Sequence, residues 1–581
     1  MLMEKISSPA DIKQMDPESL KALADEIRTA LIEKISKCGG HLAPNLGFVE
    51  ATIALHYVFD SPKDKIVYDV SHQSYTHKIL TGRAAAFTNP SKYHSVTGYT
   101  EPGESEHDHF MVGHTSTSIS LALGLATARD IKGETGNVIA VIGDGSLSGG
   151  EAFEGLDNAS EYAKNFIVIV NDNEMSIAEN HGGLYPHLAE LRVTQGNCES
   201  NYFKALGFDY LYVERGNDIQ SLIAALKLVK DSIKPVVVHI HTLKGKGYSF
   251  AENSKEGFHW AAPFDVSTGV INWGNGESYS EILGVYLMKK IKADPKVVVI
   301  QSAVPASVGF FADRRNDAGK QYIDVGIAEE HAVALASGLA KGGAKPVYST
   351  HSTYIQRAYD QLSQDLCANN NPATLLITMS GADGMNDTTH LCIFDIPMMS
   401  NIPNLVYLCP TCVEEAIAMM DYAIDQTEHP IAIRIPNGVT HRSVDFDKDY
   451  SELNTFKVDK HGSKVALIAL GSYYELAESV AALLSKKGID ATLINPRFAT
   501  GIDKKTLEEL RANHQLVVTL ENGVVDGGFG QKIATYYGNS DMRVLVKGLA
   551  KEFYDKVPYN ELMERNRLTP KQIVEDILVT F

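Results

Sequence analysis

No apolar run in the sequence reaches the ~20 residues that cross a bilayer, so no membrane-spanning segment is expected. Cysteine is scarce, 6 in 581 residues, and Cys409 and Cys412 form a Cys-x-x-Cys pair with no second pair to complete a zinc site. So sparse a set points to a reducing compartment and to buried or incidental thiols. Basic residues are outnumbered, 53 Lys and Arg against 72 Asp and Glu, which leaves a net charge of −19. That balance argues against nucleic acid or an anionic membrane surface as partner, although a small anionic substrate needs only a few local cations. The first residues carry Glu4 and Lys5 without an apolar core, so no secretory leader is expected and the cytoplasm is the expected location. Neither a solenoid period nor a low-complexity segment occurs.

What is present is an ordinary globular composition, 44% hydrophobic and 22% charged. The length implies about two to four domains. The most informative stretch runs from Asn137 to Met175. Val138 to Ile142 is wholly apolar and stopped by Gly143-Asp144-Gly145, the pattern of a strand buried on both faces. A helical stretch follows, with Phe153, Leu156 and Ala159 at three-residue spacing. Phe166 to Val170 is a second buried strand, stopped by Asn171-Asp172-Asn173. A strand, helix and strand of this length form a right-handed βαβ unit. Asp144 and Asn173 are thereby expected at the carboxyl ends of neighbouring parallel strands, where open α/β sheets bind ligands. A carboxylate and an amide oxygen are hard ligands suited to Mg²⁺, which takes one or two protein oxygens with phosphate oxygens and water. Gly145 and Ser146 are small enough for backbone N–H groups to approach a phosphate.

Elsewhere, Asp16-Pro17 is a capped helix start, with the helix expected to stop at Gly39-Gly40. His41, in the loop beyond it, and His72 and His77, after the strand begun by Ile66-Val67, do not lie on apolar faces. Met111 to Ser118 places glycine and hydroxyl residues before an Ala/Leu-rich helix from Ile119 to Ala128. That is a capping signature and also a ready anion site. Val236 to Ile240 is another buried strand; His239 and His241 share its face but have no third ligand, so no metal is expected there. Gly, Asn, Pro and Ser concentrate between Ala261 and Glu277, which sets the first boundary, and the charged stretch Asp445 to Lys460 reads as a linker. The expectation is three doubly wound α/β domains, 1–272, 278–445 and 460–581. Strands are expected near Val297, Tyr322, Pro346, Thr374, Val465, Ala491 and Leu516, with a small-residue helix from Ala332 to Ala340.

Gly143-Asp144-Gly145 with Asn171-Asp172-Asn173-Glu174-Met175-Ser176-Ile177 resembles the cofactor motif of the 1-deoxy-D-xylulose-5-phosphate synthase family, in the transketolase superfamily; the resemblance runs nearly end to end. It implies two thiamine-diphosphate-binding folds and a C-terminal α/β domain, a homodimer, and thiamine diphosphate with Mg²⁺ as cofactors. The implied reaction decarboxylates pyruvate and passes the two-carbon unit to D-glyceraldehyde 3-phosphate. By the same match His72, Gly113, His114, Thr115, Gly145, Ser146 and Asn173 contact the cofactor, with Tyr248 near it. Asp144, Asn173 and the Met175 carbonyl hold the metal, and Tyr354 packs on the aminopyrimidine. Glu329 stabilises the imino tautomer through N1′, a task that needs a carboxyl pKa raised by apolar neighbours such as Ile327, Ala328 and Ala332. His41, His259, Arg357 and His390 fall on positions that handle the donor carboxylate and proton transfers. The pattern departs from the family after Leu191, where most of a long segment is lacking. It departs again at His351, at Asn386 and Asp387, and at Met379 and Asn437, which stand where two arginines are expected. Losing bidentate phosphate partners leaves the acceptor open. A transketolase-like transfer from a ketose phosphate and a cofactor-binding regulatory subunit are the competing readings. Retention of Asp144, Asn173 and Glu329 together weighs against the second.

Overall fold

A computed structural model describes residues 1–162 and 164–580. It divides into two compact units, one of residues 1–275 with 326–328, the other of residues 276–325 and 329–581. The first unit is built on β1 (Lys65–Tyr68), β2 (Val138–Gly143), β3 (Phe166–Asp172), β4 (Asp209–Val213) and β5 (Val236–His241). Their order is β1-β2-β3-β5-β4, and every neighbouring pair is parallel. Helices cover both faces: Ile139, Val141, Ile167 and Ile169 join one apolar cluster, and Val138, Ala140, Val168 and Val170 the other. A strand covered on both sides must be apolar at consecutive positions, hence the unbroken runs at 138–142 and 166–170.

The helix Pro17–Cys38 has the bounds its ends dictate. Asp16 accepts from the Ser19 N–H at 2.8 Å, and Gly39 closes it at φ 72°. The helix Gly150–Tyr162 joins β2 to β3, with Leu156 and Ala159 buried. Phe153 does not share that face: it is 49% exposed, and Ala152 packs inward instead. His77 proves to be a core histidine, against expectation. It lies in the turn of helix Tyr75–Lys78, bonded through Nδ1 to His56 Nε2 and through Nε2 to Asp108 Oδ1, both at 2.8 Å.

The second unit holds two sheets. In one, β6 (Val297–Gln301), β7 (Tyr322–Asp324), β8 (Lys345–His351), β9 (Thr374–Thr378), β10 (Val406–Leu408) and β11 (Ile431–Arg434) are parallel in the order β10-β11-β9-β8-β6-β7. In the other, β12 (Lys457–Lys460), β13 (Lys464–Leu470), β14 (Thr492–Asn495), β15 (His514–Val524) and β16 (Arg543–Leu549) run in the order β12-β14-β13-β15-β16, with β12 antiparallel. The charged stretch read as a linker therefore ends in an edge strand. The small-residue helix begins earlier than expected, at Glu329, and runs to Lys341. Among the described residues no helix is long and apolar enough to cross a membrane.

Candidate active site

The ends of β2 and β3 stand side by side, Gly143 in register with Asn171, so Asp144 and Asn173 emerge at one sheet edge. Asp144 is 1% exposed. Burial, and then the charge of Asp172, push its carboxyl up to about 7. Burial acts on Asp172 in the same direction, but hydrogen bonds from His239 and Arg192 hold that carboxyl below its ordinary value. Two close carboxyls separated in this way form an acceptor set that a divalent cation would neutralise. Asn180 Nδ2 donates to Asp144 Oδ2 at 2.7 Å, and Asn173 Oδ1 accepts from the Met175 N–H at 3.2 Å. The Gly145 backbone passes so close that a Cβ there would lie 3.0 Å from Ser176 Cα, and the Ser146 carbonyl accepts from Ser116 Oγ at 2.8 Å. Among the described residues no three His, Cys, Asp or Glu side chains gather to hold a metal. An ion bound mainly through phosphate and water asks for fewer protein ligands than that.

Lys244 is the group that reading the sequence missed. It is 2% exposed at the edge beyond β5, with Nζ donating to the Ser176 carbonyl at 2.5 Å. Burial brings it down to about 7, and Asp144 partly offsets this. The signal was the Lys244-Gly245-Lys246-Gly247 run after a buried strand, at the same edge as Asp144. His41, His72 and His259 converge, with ring centroids 5.1 Å (His41–His72), 5.6 Å (His41–His259) and 5.2 Å (His72–His259) apart. Burial, reinforced by Lys244, holds His259 well below its usual range and therefore neutral. Tyr248 turns into an aromatic cluster with Phe250, Phe258 and Phe264, and its hydroxyl donates to the Val266 carbonyl at 3.0 Å.

Gly113, His114 and Thr115 lead into the helix Ser118–Ile131, but its start is not a free anion site. Asp69, 1% exposed, accepts from the N–H groups of Ser116 at 2.8 Å and Ser118 at 3.0 Å. A carboxylate from the loop after β1 caps the start of the helix, a long-range partner invisible in local sequence. Asp69→Ala is expected to cost about 1–3 kcal/mol in urea unfolding by stranding those donors; an unchanged midpoint would remove the capping role.

In the second unit Glu329 opens its helix at 5% exposure. Burial raises its carboxyl to about 7, against the opposing charge of Arg357, whose Nη1 lies 3.8 Å from Oε2. Among the described residues Glu329 Oε2 has no hydrogen-bond partner, which leaves that oxygen open to a ligand beside Arg357. The Tyr354 ring meets His351 at 5.5 Å and His390 at 5.7 Å. His390 Nδ1 is 3.1 Å from Asp387 Oδ1, and burial lowers His351 to about 4. Met379 follows β9 at φ 56°, a strained left-handed backbone for a residue with a side chain. Asn437 Nδ2 donates to the Asp383 carbonyl at 2.9 Å. Arg434 is committed to Asp395 through Nε at 2.6 Å. Asn386 Nδ2 donates to the Val557 carbonyl at 3.3 Å.

Residues 3–200 match the sequence model of 1-deoxy-D-xylulose-5-phosphate synthase. Residues 277–441 match that of the transketolase pyrimidine-binding domain, and 454–573 that of the transketolase C-terminal domain. The 1-deoxy-D-xylulose-5-phosphate synthase of Symbiobacterium thermophilum is 40% identical, covering 99% of this chain and 94% of its own. The chain belongs to the 1-deoxy-D-xylulose-5-phosphate synthase family. Synthases of that name from Caldanaerobacter subterraneus subsp. tengcongensis (38% identical, 99% of each chain) and Carboxydothermus hydrogenoformans (38%, 98% of each) are equally extensive matches. Membership and the three sheets agree with the α/β architecture expected from sequence. Just after Leu191, where a departure from the family pattern is expected from sequence, the helix Leu184–Val193 ends.

Proposed function

We propose that the chain decarboxylates pyruvate and joins the two-carbon unit to an aldehyde, D-glyceraldehyde 3-phosphate giving 1-deoxy-D-xylulose 5-phosphate, as a thiamine-diphosphate enzyme. The observation that carries this reading is Glu329: a buried carboxyl with a raised pKa and one oxygen without a hydrogen-bond partner among the described residues. Such a group is about half protonated near neutrality and can share its proton with a ring nitrogen, which is what N1′ of the cofactor requires. When bound, thiamine diphosphate supplies the nucleophilic carbon and the electron sink for loss of CO₂.

The chain's own residues do the rest. Asp144, Asn173 and the Met175 carbonyl would hold Mg²⁺ on the diphosphate. Gly113, His114, Thr115, Gly145 and Ser146 would line it, Lys244 adding positive charge. His41, His72 and His259, close together and with His259 neutral, suit hydrogen bonding and proton exchange with a reacting carbonyl oxygen. Arg357 would pair with the 2-oxo-acid carboxylate, Tyr354 would pack on the pyrimidine and His390 would serve the acceptor's proton. Tyr248 would support the site from its aromatic cluster. A homodimer is the assembly the family resemblance implies.

One observation favours a related acceptor without phosphate. The ionisable side chains among residues 379–390 and 434–438 are Asp383, Asp387, His390 and Arg434, and the one guanidinium among them is already spent on Asp395. The test is incubation with the cofactor, Mg²⁺, pyruvate and a panel of aldehydes, following CO₂ and products by mass spectrometry. CO₂ with deoxyxylulose phosphate is expected. CO₂ with product from a neutral aldehyde alone supports the second acceptor. Product only from a ketose donor replaces this reading with transketolase-like transfer, and no turnover at all refutes the enzyme.

A further inference from the structure

The segment 176–193 leaves the Asn173 loop and folds back across both strand ends. Asn180 bonds the Asp144 carboxylate, and the Tyr185 hydroxyl lies 3.4 Å from the carbonyl oxygens of Asp144 and of Gly145. Tyr185 sits in the first turn of the helix Leu184–Val193, whose buried Leu188 and Leu191 fasten it to the core. At the far end of the same helix Arg192 reaches Asp172 Oδ2 at 2.5 Å and Glu174 Oε2 at 3.1 Å. One short helix therefore ties the loop after β2 to the loop after β3.

Arg192 bonds both chain neighbours of Asn173. Asp172 is fully buried, and besides Arg192 it accepts from His239 Nε2 at 2.9 Å and from the Glu174 N–H at 3.1 Å. His239 is fixed in turn by the Tyr210 hydroxyl at 2.7 Å. Glu174 has φ 65°, a left-handed backbone that costs a residue with a Cβ about 1 kcal/mol and persists only where its surroundings enforce it. Those surroundings are visible: His241 Nε2 holds one carboxylate oxygen at 3.0 Å and Arg192 the other. The planar guanidinium can serve two carboxylates at once, which a lysine ammonium on a flexible stem does less well.

We infer that Arg192 is a positioning residue of the cation site, acting through Asp172 and Glu174 to hold the strained turn that presents Asn173. This rests on the proposed metal role of Asp144 and Asn173. Partners one shell out from a metal ligand set its orientation, and losing one typically weakens metal binding roughly 10–100-fold. In the full-length protein with thiamine diphosphate, Mn²⁺ titrated against the electron paramagnetic resonance signal of the free ion is expected to bind Arg192→Gln roughly 10–100-fold more weakly than the parent. Arg192→Lys should fall between them. Excess cation should restore turnover of Arg192→Gln, with the unfolding midpoint of the cofactor-free protein unchanged. Arg192→Gln binding Mn²⁺ within about twofold of the parent would overturn the inference. So would a lost affinity matched by an equal loss of cofactor-free stability, which marks a merely structural role. Failure of the parent itself to bind Mn²⁺ would overturn the metal reading, and the inference with it.

Discussion

Glu329→Ala and Glu329→Gln are expected to keep thiamine diphosphate bound and to lose turnover by roughly 10²–10⁴-fold, the range for removing a positioned proton-transfer group. The carboxyl lies at the start of a helix, buried, with its pKa raised to about 7 and Oε2 without a hydrogen-bond partner among the described residues. A buried polar atom left in this state costs stability, and a site retains one where a ligand completes it. Proton exchange at the cofactor's C2, followed by NMR, checks the role directly: a parental rate in Glu329→Ala would refute it. The same residue should leave a stability signature. A folded pKa raised from 4.5 to about 7 means that the group's contribution is fully present below about 4.5 and is lost as pH rises through 7. Glu329→Gln removes that loss. Its stability relative to the parent, both without cofactor, should therefore improve by on the order of 2 kcal/mol between pH 5 and pH 8. A pH-independent difference would show that the carboxyl is not perturbed.

How much of this was legible in the sequence follows from where each element lies. β2 and β3 are central and covered on both faces, so their runs are continuously apolar and their ends are marked by Gly143-Asp144 and Asn171-Asp172-Asn173. The edge strands β4, β10, β12 and β16 escaped notice, as did the short internal strand β11, whereas the edge strands β1 and β7 were found. β4 carries half-buried tyrosines and β12 reads Lys-Val-Asp-Lys, because an edge buries less and its residues need not be apolar. The candidate site divides in the same way. Asp144 and Asn173 declare themselves because strand ends and turn residues are local features. Asp69, Lys244 and Arg192 act on groups 47, 68 and 20 residues away, so no window of sequence contains both partners. His77 misled for the same reason: its partner His56 lies on another helix, 21 residues earlier.

Asp144→Ala should abolish metal-dependent cofactor binding, raising the dissociation constant of thiamine diphosphate in Mg²⁺ by at least about a hundredfold, the upper end of what indirect ligand perturbations cause. Asp144 is the buried carboxylate at the end of β2, and alanine leaves Asn173 without its partner oxygen across the two strands. The variant should not be less stable without cofactor: it relieves the repulsion from Asp172 and the cost of a buried acid, although it strands Asn180 Nδ2. Binding lost while cofactor-free stability holds separates a ligand from a structural residue. The titration of Asp144 adds a second readout. With its pKa raised to about 7, a cation must displace a proton below that pH, so apparent Mg²⁺ affinity should fall up to about tenfold per unit as pH drops below 7 and level off above it. Calorimetry across that range measures both the affinity and the proton release. Unchanged thiamine-diphosphate affinity in Asp144→Ala would end the metal assignment.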